Sequence, residues 1–250
     1  MGFAEVSNSV VNISGGSVGD SFDALDSEVN ISGGFVRDHF DAVGSVVNIS
    51  GGFLGNNFIA NSGSVVNISG GTLGISFRAE AGSLVNISGG TLGDNFDAEA
   101  GSVVNISGGI PGEIFEAFAG SEVNLFGSEF FIDGLPMDNL LLDQAFTITD
   151  RDFTLSGLLA DGEPFSFRIN SVDQPFRDFF EPGSTLTVTL TSPVTLLGDV
   201  NLDGVVDFLD IAPFIALLSS ETFQVEADID VDGDVDFFDI APFVGLLSNQ

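Results

Sequence analysis

Val11-Asn12-Ile13-Ser14-Gly15-Gly16 returns unchanged at 29–34, 47–52, 66–71, 85–90 and 104–109, and in altered form as Val123-Asn124-Leu125-Phe126-Gly127. The central residue of the string is thus Asn12, Asn30, Asn48, Asn67, Asn86, Asn105 and Asn124, at steps of 18, 18, 19, 19, 19 and 19. Phe follows in fixed phase at Phe22, Phe40, Phe58, Phe77, Phe96 and Phe115. A fixed period this short is that of a solenoid, and helical repeats need roughly 30 residues or more per unit. Val and Ile alternate about each Asn, which is a strand pattern, and a Gly pair supplies the turn. The expected fold is mainly β: a parallel β-solenoid of about seven coils, each with two or three short strands. Coils stacked about 4.8 Å apart would make a rod of roughly 34 Å. Val11, Ile13, Phe22 and their counterparts should point inward as ladders, and the Asn column should form an amide ladder between coils. No coil buries its apolar face alone, so the stack needs a cap.

Composition narrows the function. The chain has 250 residues, with 37 Asp and Glu against 5 basic residues, all Arg, for a net charge of -32. Such a chain repels phosphate backbones and anionic lipid surfaces, which excludes nucleic acid as a partner and points to divalent cations. With 44% hydrophobic residues and 26 Phe it can bury a large core. The absence of Cys excludes disulfides and thiolate catalysis, and His39, the one His, cannot build a multi-His zinc site. No apolar run reaches the length that membrane insertion needs.

The first residues, Met1 to Glu5, carry no signal-peptide pattern, and Phe3 already lies in phase with the repeat, mid-coil. Residues 1–134 are therefore expected to be a solenoid truncated at its N-terminus, with further coils and a signal peptide upstream. An open coil there would permit end-to-end self-association through sheet edges. Residues 135–191 read as a β-rich cap. Strands are expected at Phe146–Thr149, Asp152–Leu159, Phe165–Ile169 and Thr185–Leu190, with a hairpin turn at Ala160-Asp161-Gly162-Glu163. Residues 192–197 read as a linker.

The tail, 198–250, carries the clearest chemistry. Residues 199–210 (DVNLDGVVDFLD) and 228–239 (DIDVDGDVDFFD) both fit a twelve-residue calcium loop of the EF-hand type. The side-chain oxygens at positions 1, 3, 5, 9 and 12 belong to Asp199, Asn201, Asp203, Asp207 and Asp210, and to Asp228, Asp230, Asp232, Asp236 and Asp239. Val205 and Asp234, at position 7, would each give a backbone carbonyl. Gly204 and Gly233 occupy position 6, where the chain turns sharply. Position 12 is Asp rather than the usual Glu. Each loop runs into Ile-Ala-Pro-Phe and an apolar helix, and the two units, 29 residues apart, share 13 of 20 positions.

Two tandem calcium loop–helix units, with Asp at position 12 and no helix before the loop, resemble a type I dockerin over residues 198–247. The resemblance implies a small module folded by calcium on a secreted, extracellular or cell-surface protein, of the kind carried by polysaccharide-degrading systems and other extracellular bacterial proteins. Dockerins that bind cohesins usually show Ser/Thr pairs at loop positions 10 and 11 and a basic residue further along. Here those positions are Phe208-Leu209 and Phe237-Phe238 and the module has no basic residue, a pattern that does not favour a cohesin as partner. Phe is usually core, so these pairs are expected to pack within the module. The first half resembles the Gly- and Asn-rich β-helices of bacterial surface adhesins, and the combination resembles secreted repeat proteins described as aggregation-factor-like.

Parallel β-helices also host polysaccharide lyases and hydrolases. Two acidic columns run along the repeats: Asp20, Asp38, Asn56, Ile75, Asp94, Glu113, and Asp23, Asp41, Ile59, Arg78, Asp97, Glu116. Their two acidic patches are the places for a calcium or glycosidase site, against the simpler reading of a solvated face. No coil carries an insertion longer than one residue, whereas an active site usually interrupts its repeat. The residues therefore favour a calcium-binding structural or adhesive protein, attached to a polysaccharide or an extracellular protein. The alternative is a component of polysaccharide degradation, either a hydrolase or lyase or a non-catalytic partner of one. His39 reads as an exposed substitution, and Arg37 and Arg78 as members of weak surface ion pairs.

Overall fold

A computed structural model describes residues 4–137, 140–191, 197–201, 206–220, 223–230 and 232–247. The chain divides into two compact units, 1–192 and 193–250.

In the first unit each repeat makes two strands. The long one carries the Val-Asn-Ile string, at Val10–Val18, Glu28–Val36, Val46–Leu54, Val65–Leu73, Leu84–Thr91, Val103–Ile110 and Glu122–Ile132. The short one carries the Phe, beginning with Phe22–Leu25 and ending with Phe115–Ala117. Long strands pair in parallel with long, and short with short, so two sheets face each other across the coil. The seven Asn-bearing strands bound six full turns of a β-solenoid.

The register keeps like over like: Asn30 lies on Asn48, Ile31 on Ile49 and Phe40 on Phe58. Consequently Ile31, Ile49, Ile68, Ile87, Phe40, Phe96 and Phe115 are almost wholly buried. The inward Phe rings follow one another at centroid spacings of 4.6–4.9 Å from Phe22 to Phe115, mostly stacked, with Phe58 and Phe77 meeting edge-to-face. Each buried ring contributes about 2–3 kcal/mol of burial, before any gain from stacking. Outside the core, the amide of Asn48 donates to Asn30 Oδ1 at 2.8 Å, and that of Asn67 to Asn48 Oδ1 at 2.8 Å. The ladder runs unbroken from Asn12 to Asn124, and Thr187 Oγ1 donates to its last carbonyl at 2.6 Å.

The Gly pair is dictated by stacking. Gly52 has φ +85°, and a Cβ there would lie 2.9 Å from the Gly33 carbonyl carbon. A side chain at that position would collide with the preceding coil's backbone as well as straining its own.

Beyond the last repeat, Phe179–Phe180 adds in parallel to Phe115–Ala117, and Thr185–Leu190 to Glu122–Ile132. The hairpin of Thr154–Leu159 and Pro164–Arg168 folds antiparallel along the end of Glu122–Ile132, and Ala145–Ile148 pairs antiparallel with Thr185–Leu190. Phe167 and Phe180 continue the ring ladder from Phe115 at 5.4 and 5.7 Å. Two polar side chains fix this segment. The Arg151 guanidinium donates to the carbonyls of Ile148, Phe180 and Ser184. The buried Asp178 accepts from Phe115 N–H at 2.9 Å and Arg168 N–H at 2.8 Å.

In the second unit, α1 (Ile211–Ser220) and α2 (Ile240–Leu247) each follow a 3-10 turn, at Phe208–Asp210 and Phe237–Asp239. Pro213 and Pro242 stand in the first helical turns, where a missing N–H costs nothing. The core is small: Phe214 stacks on Phe243 at 4.3 Å, with Val200 and Ala227 buried beside them. The expected packing of the Phe pairs is not found. Phe208 is 75% and Phe237 77% exposed, and Leu209 and Phe238 are also exposed. The stacked Phe214 and Phe243 already occupy the core, leaving the residues before each helix outside it.

Candidate functional site

Among the described residues, one group of at least three carboxylates converges. Asp228, Asp230 and Asp232 each bring a carboxylate oxygen within 4.8 Å of the others. They are loop positions 1, 3 and 5, on alternate residues of a chain that turns sharply at Gly233, φ +99°. Asp228 is buried and fixed, its Oδ1 accepting from Asp232 N–H and its Oδ2 from Gly233 N–H, both at 3.0 Å. Carboxylates this close repel. Partial desolvation, then the charges of Asp232, Asp239 and Asp228, raise the Asp230 carboxyl above its ordinary range, and Asp232 foremost raises that of Asp234. A hard divalent cation removes that repulsion, and an all-oxygen donor set suits calcium.

The structure gives positions 9 and 12 a second task. Asp236 Oδ1 accepts from Phe238 N–H at 2.7 Å, and Asp239 Oδ2 accepts from Asp236 N–H at 2.9 Å, a reciprocal cap on the turn that starts α2. Asp239 is fully buried, and its Oδ1 also accepts from Ile229 and Asp230 N–H. It thereby ties the start of the loop to the start of the helix. The first loop repeats the design: Asp207 caps through Leu209 N–H at 2.7 Å, and Asp210, fully buried, accepts from Asn201 and Asp207 N–H. Asp199 is also buried. Asp203 and Val205 lie outside the described residues.

The solenoid's acidic columns are built differently. Asp38 Oδ1 accepts from Asn56 N–H at 2.8 Å, Asn56 Oδ1 from Ile75 N–H at 3.0 Å, and Asp94 Oδ1 from Glu113 N–H at 2.8 Å. At these three steps one coil's side chain holds the next coil's backbone, a role the sequence reading missed. In the second column, Arg78 lies 3.7 Å from each of Glu80, Asp97 and Glu99. Burial, foremost, raises the carboxyls of Asp41, Asp97 and Glu116, and for Asp97 it outweighs the Arg78 guanidinium. Arg37, by contrast, makes no ion pair among the described residues. His39 is exposed, as expected, and with Ser21, Asn57, Ser76 and Asn95 forms a column at φ +59° to +64°.

Residues 197–242 match the dockerin type I domain family. No curated protein and no solved structure matches the chain. No helix among the described residues is long and apolar enough to cross a membrane. Dockerin type I domains bind calcium and extracellular protein partners, cohesins among them, and this chain carries one behind a β-solenoid of six turns.

Proposed function

We propose that this protein is a secreted attachment protein, in which a self-supporting rod is joined to a protein partner through a tail that calcium folds. Residues 1–134 are the rod, 135–191 its cap, 192–197 a linker, and 198–250 the calcium module. The ligands are Asp199, Asn201, Asp203, Val205, Asp207 and Asp210 in the first loop, and Asp228, Asp230, Asp232, Asp234, Asp236 and Asp239 in the second. Calcium would supply the charge that lets these oxygens converge. At the millimolar level found outside cells it fills loops of this type.

The single observation that carries the reading is the exposure of Phe208, Leu209, Phe237 and Phe238 immediately after the calcium loops. Asp207 and Asp236 cap through the N–H of Leu209 and Phe238, so the ion-binding residues also set the backbone that presents this apolar pair. Exposed aromatic residues held on a rigid turn mark protein-docking surfaces. With no basic residue and an apolar pair in each unit, the face suits an apolar partner surface rather than a polar one. A role in polysaccharide breakdown is the second reading, supported by the dockerin type I match.

The test is binding of the full chain to the cell-surface fraction of its source organism, with calcium or with chelator. Retention that requires calcium and falls at least tenfold in Phe237→Ser/Phe238→Ser supports the proposal. Retention indifferent to both overturns it, and calcium-dependent release of reducing ends from polysaccharides would establish the second reading.

A further inference from the structure

One corner of the solenoid breaks the repeat at several outward positions at once. The column Ser17, Phe35, Phe53, Thr72, Thr91, Ile110 is in register through the stack. It is small or aliphatic except where Phe35 and Phe53 stack outside the core at 4.5 Å, with 24° between their planes. Phe35 is 47% exposed, whereas the Phe ladder inside the rod is buried. Two residues on, Arg37 stands where the other coils have Gly19, Gly55, Gly74, Gly93 and Gly112. Its guanidinium is exposed and makes no ion pair among the described residues.

These departures border an open space. Ser17, one coil before Phe35, is too small to cover the ring face that Phe53 does not, and that open face borders a shallow depression of about 560 Å³ lined by Ser17, Asp20, Phe35, Arg37 and Asp38. Asp38 holds Asn56 N–H with Oδ1, so Oδ2 remains for a ligand.

We infer that this corner binds a pyranose unit of a neutral polysaccharide. The open Phe35 face offers the negative side of an aromatic quadrupole, which attracts the polarised C–H face of a sugar ring. At the rim, Asp20 and Asp38 accept, Arg37 donates, and Ser17 does both, the mixture that a ring of hydroxyls requires. A cation would meet Arg37, and an anionic glycan would meet Asp20, Asp38 and a net charge of -32. A partner's apolar side chain would leave three charged groups without partners.

The inference rests on the attachment reading, since it gives the rod a ligand of its own, but it fails separately. The full chain is run through native gels containing galactomannan, xyloglucan, mixed-linkage glucan or dextran. At least one should retard it, with and without calcium, whereas tail docking requires calcium. Phe35→Thr, which installs the residue that Thr72 supplies in the same column, should weaken retardation about tenfold or more, and Arg37→Gly should weaken it by a smaller factor. Thr91→Ala, farther along the column, should leave it unchanged. Circular dichroism of each variant checks that the coil is intact. Retardation by none of the four gels, equal retardation of Phe35→Thr and the wild type, or stronger retardation by an acidic polysaccharide overturns the inference while leaving tail docking standing. Loss of calcium-dependent docking with retardation intact sinks only the attachment of the tail.

Discussion

The rod and the tail are both acidic, and they differ in how closely they gather their carboxylates. In the rod, Asp38 and Asp94 accept backbone N–H groups of the next coil, Asp178 bridges the last coil to the hairpin, and Asp97 lies beside Arg78. Side chains of like kind lie on one another without needing an ion, because burial of Phe and Ile rungs carries the stack. Among the tail's described residues the buried apolar cluster is Val200, Phe214, Ala227 and Phe243, and three Asp side chains converge. So small a core is not expected to hold a domain together against that repulsion. The difference teaches that carboxylates spread along the coils are tolerated, and that several aimed at one point become a demand for metal even where backbone N–H groups hold them.

The comparison breaks most readily at the ring ladder. Phe77→Ala removes a ring that meets Phe58 edge-to-face and stacks on Phe96, and should cost the rod about 3–5 kcal/mol in denaturant unfolding. Calcium affinity measured by calorimetry should not change, and a change would mean that the two units depend on each other. Asp232→Asn should act on the other side, lowering calcium affinity of the second loop about tenfold or more, equivalent to about 1.4 kcal/mol, with the rod's unfolding midpoint unaltered. Asn67→Ala deletes two amide contacts of the ladder, to Asn48 and from Asn86, and should cost the rod about 1–2 kcal/mol, seen as a lower midpoint with unchanged slope.

The smallest effect is the response to pH, where the two regions should move in opposite directions. The raised carboxyls of Asp41, Asp97 and Glu116 bind a proton more tightly in the folded rod than in the unfolded chain. Their penalty is full at neutral pH and is relieved as pH falls through their folded pKa values toward the ordinary value near 4. The rod's melting temperature should rise slightly between pH 7 and about pH 5, while calcium binding by the tail weakens as protons compete for its oxygens. A rod that loses stability over that interval would contradict the assignment of burial as the cause.

What the sequence reveals follows from repetition. Six copies of one string and an altered seventh, in one phase, oblige like residues to stack, so the Phe and Asn ladders and the inward Ile rungs are legible before any coordinates. The hairpin at Asp161-Gly162 and the spacing of the calcium loops are legible for the same reason: local geometry dictates the residue type. Bonds from a side chain to the next coil's backbone are not. The bonds from Asp38 and Asp94 to the next coil's N–H look, in sequence, like a solvated acidic column. Nor does a Ser or His announce the left-handed backbone of Ser21 and His39, which an Asn such as Asn57 would suggest. Arg151 and Asp178 act on carbonyls and N–H groups distant in the chain, so no motif marks them. The exposure of Phe208 and Phe237 went against composition, because the small core was already filled by Phe214 and Phe243. Three of the second-loop ligand candidates, Asp228, Asp230 and Asp232, converge, while Asp236 and Asp239 cap the helix, a double use that spacing alone does not reveal.

The most direct test is hydrogen exchange of the full chain, resolved by peptide, in excess calcium and in excess chelator. The account predicts that chelator abolishes protection across 197–247, helices α1 and α2 included, and leaves the strands of 4–190 as protected as before. Protection of the tail that survives chelator, or a rod that opens with it, would contradict the division between a rod that stands on its own and a tail that needs its ion.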